Sequence, residues 1–178
     1  MRYLATHERA VRGRFDFPIQ LYYVDQNHPR YEMPFHWHME YELILVLQGK
    51  LHLSLNGENR DLESGDCVLI ADGTIHGAIP ESCVYECVVF DLERFLPEAS
   101  ICGQHLADKL ASGIRFEGCF PAGSCVAELI SKLFEAMETE RPGYEFVTTG
   151  LLWQFFGEIL GRKLYCPASA ETTREARR

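Results

Sequence analysis

Between residues 19 and 90 apolar positions come in short runs, separated by glycine-containing turns. Ile19 to Val24 is β-branched and aromatic, which predicts a strand. Asp25 to Pro29 has the chemistry of a loop. A second strand is expected from Phe35 to Gln48, stopped by a tight turn at Gly49-Lys50. Leu51, Leu53 and Leu55 then alternate with His52, Ser54 and Asn56, the pattern of a half-buried strand. Asn56-Gly57 is a strong hairpin signal and leads to a short strand around Arg60 to Glu63. Cys67 to Ile70 reads as a buried strand, Thr74 to Ile79 as another, and Val84 to Phe90 as the last. Many short strands at this spacing indicate an antiparallel sandwich or barrel.

Beyond Pro97 the period changes. A short helix is expected near Gln104 to Leu110. Val126, Leu129, Ile130, Leu133, Phe134 and Met137 then follow a helical period, with Ser124 as N-cap and Glu128 in the first turn. Arg141-Pro142-Gly143 breaks this helix, and a second runs from about Glu145 to Arg162. Its apolar face, widened by Trp153, is broad enough to imply a second partner besides the barrel. Leu152, Phe156 and Ile159 are the contacts expected in a homodimer, and Gly150, Gly157 and Gly161 would allow close helix approach.

The strand from Phe35 to Gln48 also carries the chemistry. Side chains two apart on a strand share a face, so an unbroken strand would point His36, His38 and Glu42 the same way. Glu40 has the same parity and competes for the carboxylate role. Two imidazoles and a carboxylate suit a divalent metal such as zinc, nickel, manganese or iron. His76, just after the turn at Asp72-Gly73, is a fourth candidate. A pocket of hydrogen-bonded histidines without metal fits the same residues. Phe35, Trp37 and Tyr41 have the opposite parity and are expected to pack between sheet and helices. His7, His28, His52 and His105 are expected at the surface or in loops.

His36-x-His38, Glu42 and Gly49 resemble the first motif of the cupins, and Gly65, Gly73 and His76 resemble the second. Ala71 and Pro80 stand where that motif usually has Pro and Asn, and Arg30 where a Gly precedes the first His. The wording from Phe35 to His76 is more specifically similar to the ligand-sensing domain of AraC-type transcription regulators. The resemblance implies a mainly β fold: a cupin barrel (a double-stranded β-helix or jelly roll) followed by a C-terminal α-helical hairpin. The expected division is an N-terminal arm at 1–18, partly disordered, a barrel at 19–97, a helical subdomain at 98–165 and a truncated linker at 166–178. It further implies a small-molecule effector in the barrel near His36, His38, Glu42 and His76, and dimerisation through the C-terminal helices. DNA contact would come only through a helix-turn-helix domain that would follow Arg178. A metal-dependent cupin enzyme (dioxygenase or isomerase) and a metal-free sugar-binding module are the alternatives.

Composition narrows this further. With 26 acidic against 17 basic residues the net charge is −9, so the chain alone should not bind DNA. Seven cysteines (Cys67, Cys83, Cys87, Cys102, Cys119, Cys125, Cys166) include no CxxC pair, which disfavours a thiolate metal site. Together with the lack of an apolar leader or membrane-length run, they lead to the expectation of a cytoplasmic protein with free thiols and no membrane contact. No hydrolase-like constellation or phosphate loop occurs.

Overall fold

A computed structural model describes residues 5–95 and 100–167. Its elements are β1 (Thr6–His7), β2 (Ile19–Val24), β3 (Met33–Trp37), β4 (Tyr41–Leu55), β5 (Glu58–Glu63), β6 (Cys67–Ile70) and β7 (His76–Phe90), then α1 (Leu92–Phe95). α2 (Ile101–Ala111), β8 (Ile114–Phe116), β9 (Cys119–Phe120), α3 (Cys125–Thr139), α4 (Tyr144–Gly161) and β10 (Tyr165–Pro167) follow.

Two long bent strands make the frame. β4 and β7 pair antiparallel from Tyr41 opposite Phe90 to Leu55 opposite His76. On the far side of β4 lie β6, beside residues 42–45, and β5, beside residues 50–55. On the far side of β7 lie β3, near His76, and β2, beside residues 85–90. Each long strand therefore contributes to two sheets that fold over one another.

The bend has an identifiable cause. Gly49 adopts φ +74° and Ser82, across the ladder, φ +46°. A Cβ at Gly49 would lie 2.2 Å from the Ser82 carbonyl oxygen, so glycine is required where the two backbones meet. The register shifts on both sides of Gln48, as in a bulge. The expected tight turn at Gly49-Lys50 is thus a corner inside one strand, and the two strands expected between Thr74 and Phe90 are one. The extra residue also flips the parity: Ile44 and Val46 face inward before it, Leu51 and Leu53 after it, and all four are buried.

The two faces of the sheet build two cores. The barrel interior holds Val24, Ile44, Val46, Leu51, Leu53, Val68, Ile70, Tyr85 and Cys87. On the outer face Leu43, Leu45, Leu69, Val88 and Phe90 meet α3 and α4. Ser124 caps α3 as expected, its Oγ accepting from the Ala127 amide at 3.2 Å. Val126, Ile130, Leu133, Phe134 and Met137 form the buried stripe, with Leu129 partly covered.

The helix α4 corrects the reading of its apolar face. Leu152, Phe156 and Ile159 are buried within the chain itself, Phe156 touching Phe155 and Phe116. They cannot be subunit contacts in this fold. Its exposed side carries Phe146, Val147, Gly150 and Gly157. Residues 5–18 do not behave as a loose arm: β1 pairs parallel with β3, and Asp91 N–H donates to the Pro18 carbonyl. Cys166 and Pro167, expected in a linker, pair with β8, while 168–178 lie outside the described residues. Among the described residues no helix is long and apolar enough to cross a membrane.

Candidate metal centre

His36, His38, Glu42 and His76 come together inside the barrel, with one potential ligand atom from each within 4.8 Å of the others. They arrive by a different route from the one their parity suggests. β3 ends at Trp37, and residues 38–40 form a corner from which the chain enters β4. The corner is pinned where the His38 carbonyl accepts from Gly73 N–H at 2.8 Å. His36 therefore points inward from β3, His38 from the corner, Glu42 from β4 and His76 from the start of β7. The Glu40 backbone carbonyl bonds the His38 ring, while its carboxylate stays outside the cluster.

The backbone sets the tautomers. Nδ1 of His36 lies 2.8 Å from the Pro34 carbonyl, that of His38 3.0 Å from the Glu40 carbonyl, and that of His76 2.8 Å from the Thr74 carbonyl. A carbonyl only accepts, so each Nδ1 carries the proton and donates it. In the neutral ring each Nε2 is then a bare lone pair aimed into the cluster, the form that binds metal. His38 Nε2 is 3.1 Å and His76 Nε2 3.3 Å from Glu42 Oε2.

Such a set needs a positive charge at its centre, either protons or a cation. His76 Nε2 is buried without a hydrogen bond, its contact with Glu42 being misaligned. Ligands about 2.1 Å from a common metal stand roughly 3.0–3.4 Å apart along an edge. The His38–Glu42 and His76–Glu42 separations already match that edge. Three imidazoles and one carboxylate therefore fit a divalent metal such as zinc, nickel, manganese or iron, after a modest contraction of the widest pair.

Electrostatics agree with that charge balance. Burial alone would raise the Glu42 carboxyl, but the imidazoles of His38 and His76 beside it outweigh this and hold it well below the usual carboxylate range. Burial pulls His76 down, yet its contacts with Glu42 outweigh this and raise it. Burial, then the neighbouring His76, lowers His36. Cys87 is buried on β7, and burial, then the Glu42 charge, pushes its thiol far up, so it stays protonated.

Three residues at the rim were not singled out in the sequence. Glu8, just after β1, places Oε2 3.3 Å from His36 Nε2. Arg12 holds Glu8 Oε1 at 2.8 Å and Arg30 reaches both oxygens at 3.0 Å. Arg12 Nη1 also donates to the Tyr22 hydroxyl. A signal existed for Arg30: it stands where the cupin motif has glycine. Nothing local marks Glu8 or Arg12, because their partners are distant in the chain.

The remaining candidates sort themselves simply. His52 leaves the buried face as expected and pairs with Asp61 at 2.7 Å. Tyr41 packs in the helix-facing core against Phe90, whereas Trp37 stacks on His7 of β1, 4.0 Å away, rather than on a helix. The cysteines are free thiols.

The family model described as "AraC-like ligand binding domain" matches residues 18–156. No curated protein matches the chain. Similar solved structures include a cupin protein from Bacteroides fragilis at 20% identity and TM-score 0.34, covering 41% of this chain and 64% of that one. KdgF from Halomonas sp. shares 26% identity at TM-score 0.32, covering 41% and 79% of the two chains. Oxalate decarboxylase from Bacillus subtilis, whose structure concerns Mn(II) centres, shares 24% at TM-score 0.30, covering 34% and 18%. With a barrel of this topology and a match over most of its length, the chain belongs to the family of AraC-like ligand binding domains.

Proposed function

We propose that the chain is the effector-sensing part of an AraC-type transcription regulator and that its effector binds at His36, His38, Glu42 and His76, over a divalent metal. The observation that carries this is the fixing of all three Nδ1 protons by backbone carbonyls, which leaves three Nε2 lone pairs facing one carboxylate. A bound metal would supply a Lewis-acidic anchor for an oxygen-bearing ligand. An effector would act by favouring one arrangement of the arm around Glu8 over another, because a ligand shifts an equilibrium only by its differential affinity. DNA reading belongs to a separate helix-turn-helix domain, consistent with a net charge of −9. The setting is cytoplasmic. The proposed domain division is an N-terminal segment at 1–18 packed on the barrel, a barrel at 19–97 and a helical subdomain that takes in β10.

The chain pairs with a second copy through the exposed side of α4. Phe146 is 86% exposed and Val147 53%, and Gly150, Gly157 and Gly161 have open space where a side chain would stand. The enzymatic alternative, a dioxygenase or isomerase, draws on the same donor set. Native mass spectrometry of the protein as purified tests the proposal. One metal ion and a retained small molecule per chain support it; a bare chain that takes up neither opposes it.

A further inference from the structure

We infer that the rim above the histidine cluster is a receptor for a small carboxylate, and that Glu8 occupies it in this structure in place of the ligand. The inference rests on the reading of the barrel as a small-molecule site and names the class of effector: an organic acid. Two guanidinium groups, those of Arg12 and Arg30, face a single carboxylate at the rim. The Arg12 side chain is only 7% exposed and its Nε is buried without an acceptor. A buried cationic donor of this kind calls for a further acceptor, since leaving it unpaired costs free energy.

Glu8 shows what shape the receptor takes. Its carboxylate is gripped on one side by Arg30 at 3.0 Å to both oxygens and on another by Arg12 at 2.8 Å, and it lies 3.3 Å from His36 Nε2. Guanidinium groups hold carboxylates by charge-assisted hydrogen bonds of this kind. Glu8 sits beyond the two-residue strand β1, an attachment to β3 short enough to be displaced. A free acid at the same place would satisfy the same donors and reach the cluster through His36. Trp37, stacked on His7 at 4.0 Å, reports any movement of the arm.

The test uses the full chain, stripped of metal by a chelator, titrated with sodium acetate against sodium chloride of equal ionic strength. Removing the internal carboxylate in Glu8→Ala should lower the acetate Kd at least about tenfold relative to wild type, read by calorimetry and Trp37 fluorescence. Acetamide, the uncharged isostere, should not bind. In the Glu8→Ala background, Arg30→Gln should abolish acetate binding; because Arg30 is 46% exposed, the fold should survive the change. Equal acetate response in wild type and Glu8→Ala, equal binding of acetamide, or preference for inorganic phosphate would each overturn the assignment. Because the protein is stripped, this outcome is independent of whether the histidines hold metal.

Discussion

His36 of β3 and His76 of β7 are direct cross-strand partners, with ring centroids 4.2 Å apart, although they lie in separate halves of the sequence motif. Their pairing places two metal-type ligands side by side on the inner face of one sheet, and the corner after Trp37 brings His38 and Glu42 to them. Protons and a divalent metal would compete for this set. His76 is raised by Glu42, so a proton contends for its Nε2 more strongly than for an ordinary imidazole. Metal affinity should therefore rise with pH through the His76 titration and fall on its acid side. Calorimetric titration of zinc between pH 5.5 and 8.5 checks this; a pH-independent affinity would contradict it.

The Gly49 corner should be intolerant of any side chain. Gly49→Ala combines a left-handed backbone with a Cβ 2.2 Å from the Ser82 carbonyl oxygen. The expected loss is more than about 2 kcal/mol of folding stability, since the left-handed region alone costs about 1–2. Urea denaturation measures it, and a variant as stable as wild type would show that the corner can open.

Glu86 should make the helix-sheet interface sensitive to alkali. It lies on β7 with only 4% of its surface exposed, and burial, followed by Glu138, raises its carboxyl to about 7. Elements packed around it offer Tyr23 on β2 and Leu45 on β4 as ladder neighbours. A raised carboxyl is held neutral by the fold, so its contribution is fully present below its unfolded value near 4.5 and is lost as pH rises toward 7. Glu86→Gln should thus stabilise the protein by about 1–3 kcal/mol at pH 8 and change little at pH 4. Urea midpoints at the two values decide it; equal effects would exclude a buried titration.

Substitutions on α4 should divide by face. Phe156→Asp puts a charge among Phe116, Phe155 and the rest of the core, and should unfold the chain rather than dissociate it. Phe146→Asp, on the exposed side, should leave the circular dichroism unchanged and convert a sedimenting dimer to monomer. A wild type that stays monomeric at high micromolar concentration would remove the proposed dimer.

Much of this was legible because barrels repeat a period of two. The alternation of Leu51 and Leu53 with His52 gave the correct faces, and the helical stripe from Val126 to Met137 gave α3 with its Ser124 cap. That His36, His38, Glu42 and His76 meet in one cluster was legible from residue type and motif spacing. Their route together was not: parity assumed one strand, whereas the Trp37–Tyr41 corner changes direction without a glycine to mark it. Gly49 misled in the opposite sense, because a positive-φ glycine signals a turn and a bulge equally well. Leu152, Phe156 and Ile159 were apolar enough for an interface, but the sheet's outer face and α3 absorbed them. The arm was illegible for a physical reason. Glu8, Arg12 and Arg30 form a network across loops, where no local period records who will meet whom.

The most direct test of the central claim is metal stoichiometry in the stripped chain after exposure to excess zinc, nickel and manganese and removal of unbound ion. Elemental analysis should find close to one metal per wild-type chain, with Glu42→Gln weakened beyond the roughly 10- to 100-fold typical of losing an outer-sphere partner. No metal retained by the folded wild type, or equal retention by Glu42→Gln, would contradict it and leave the four residues a purely hydrogen-bonded pocket.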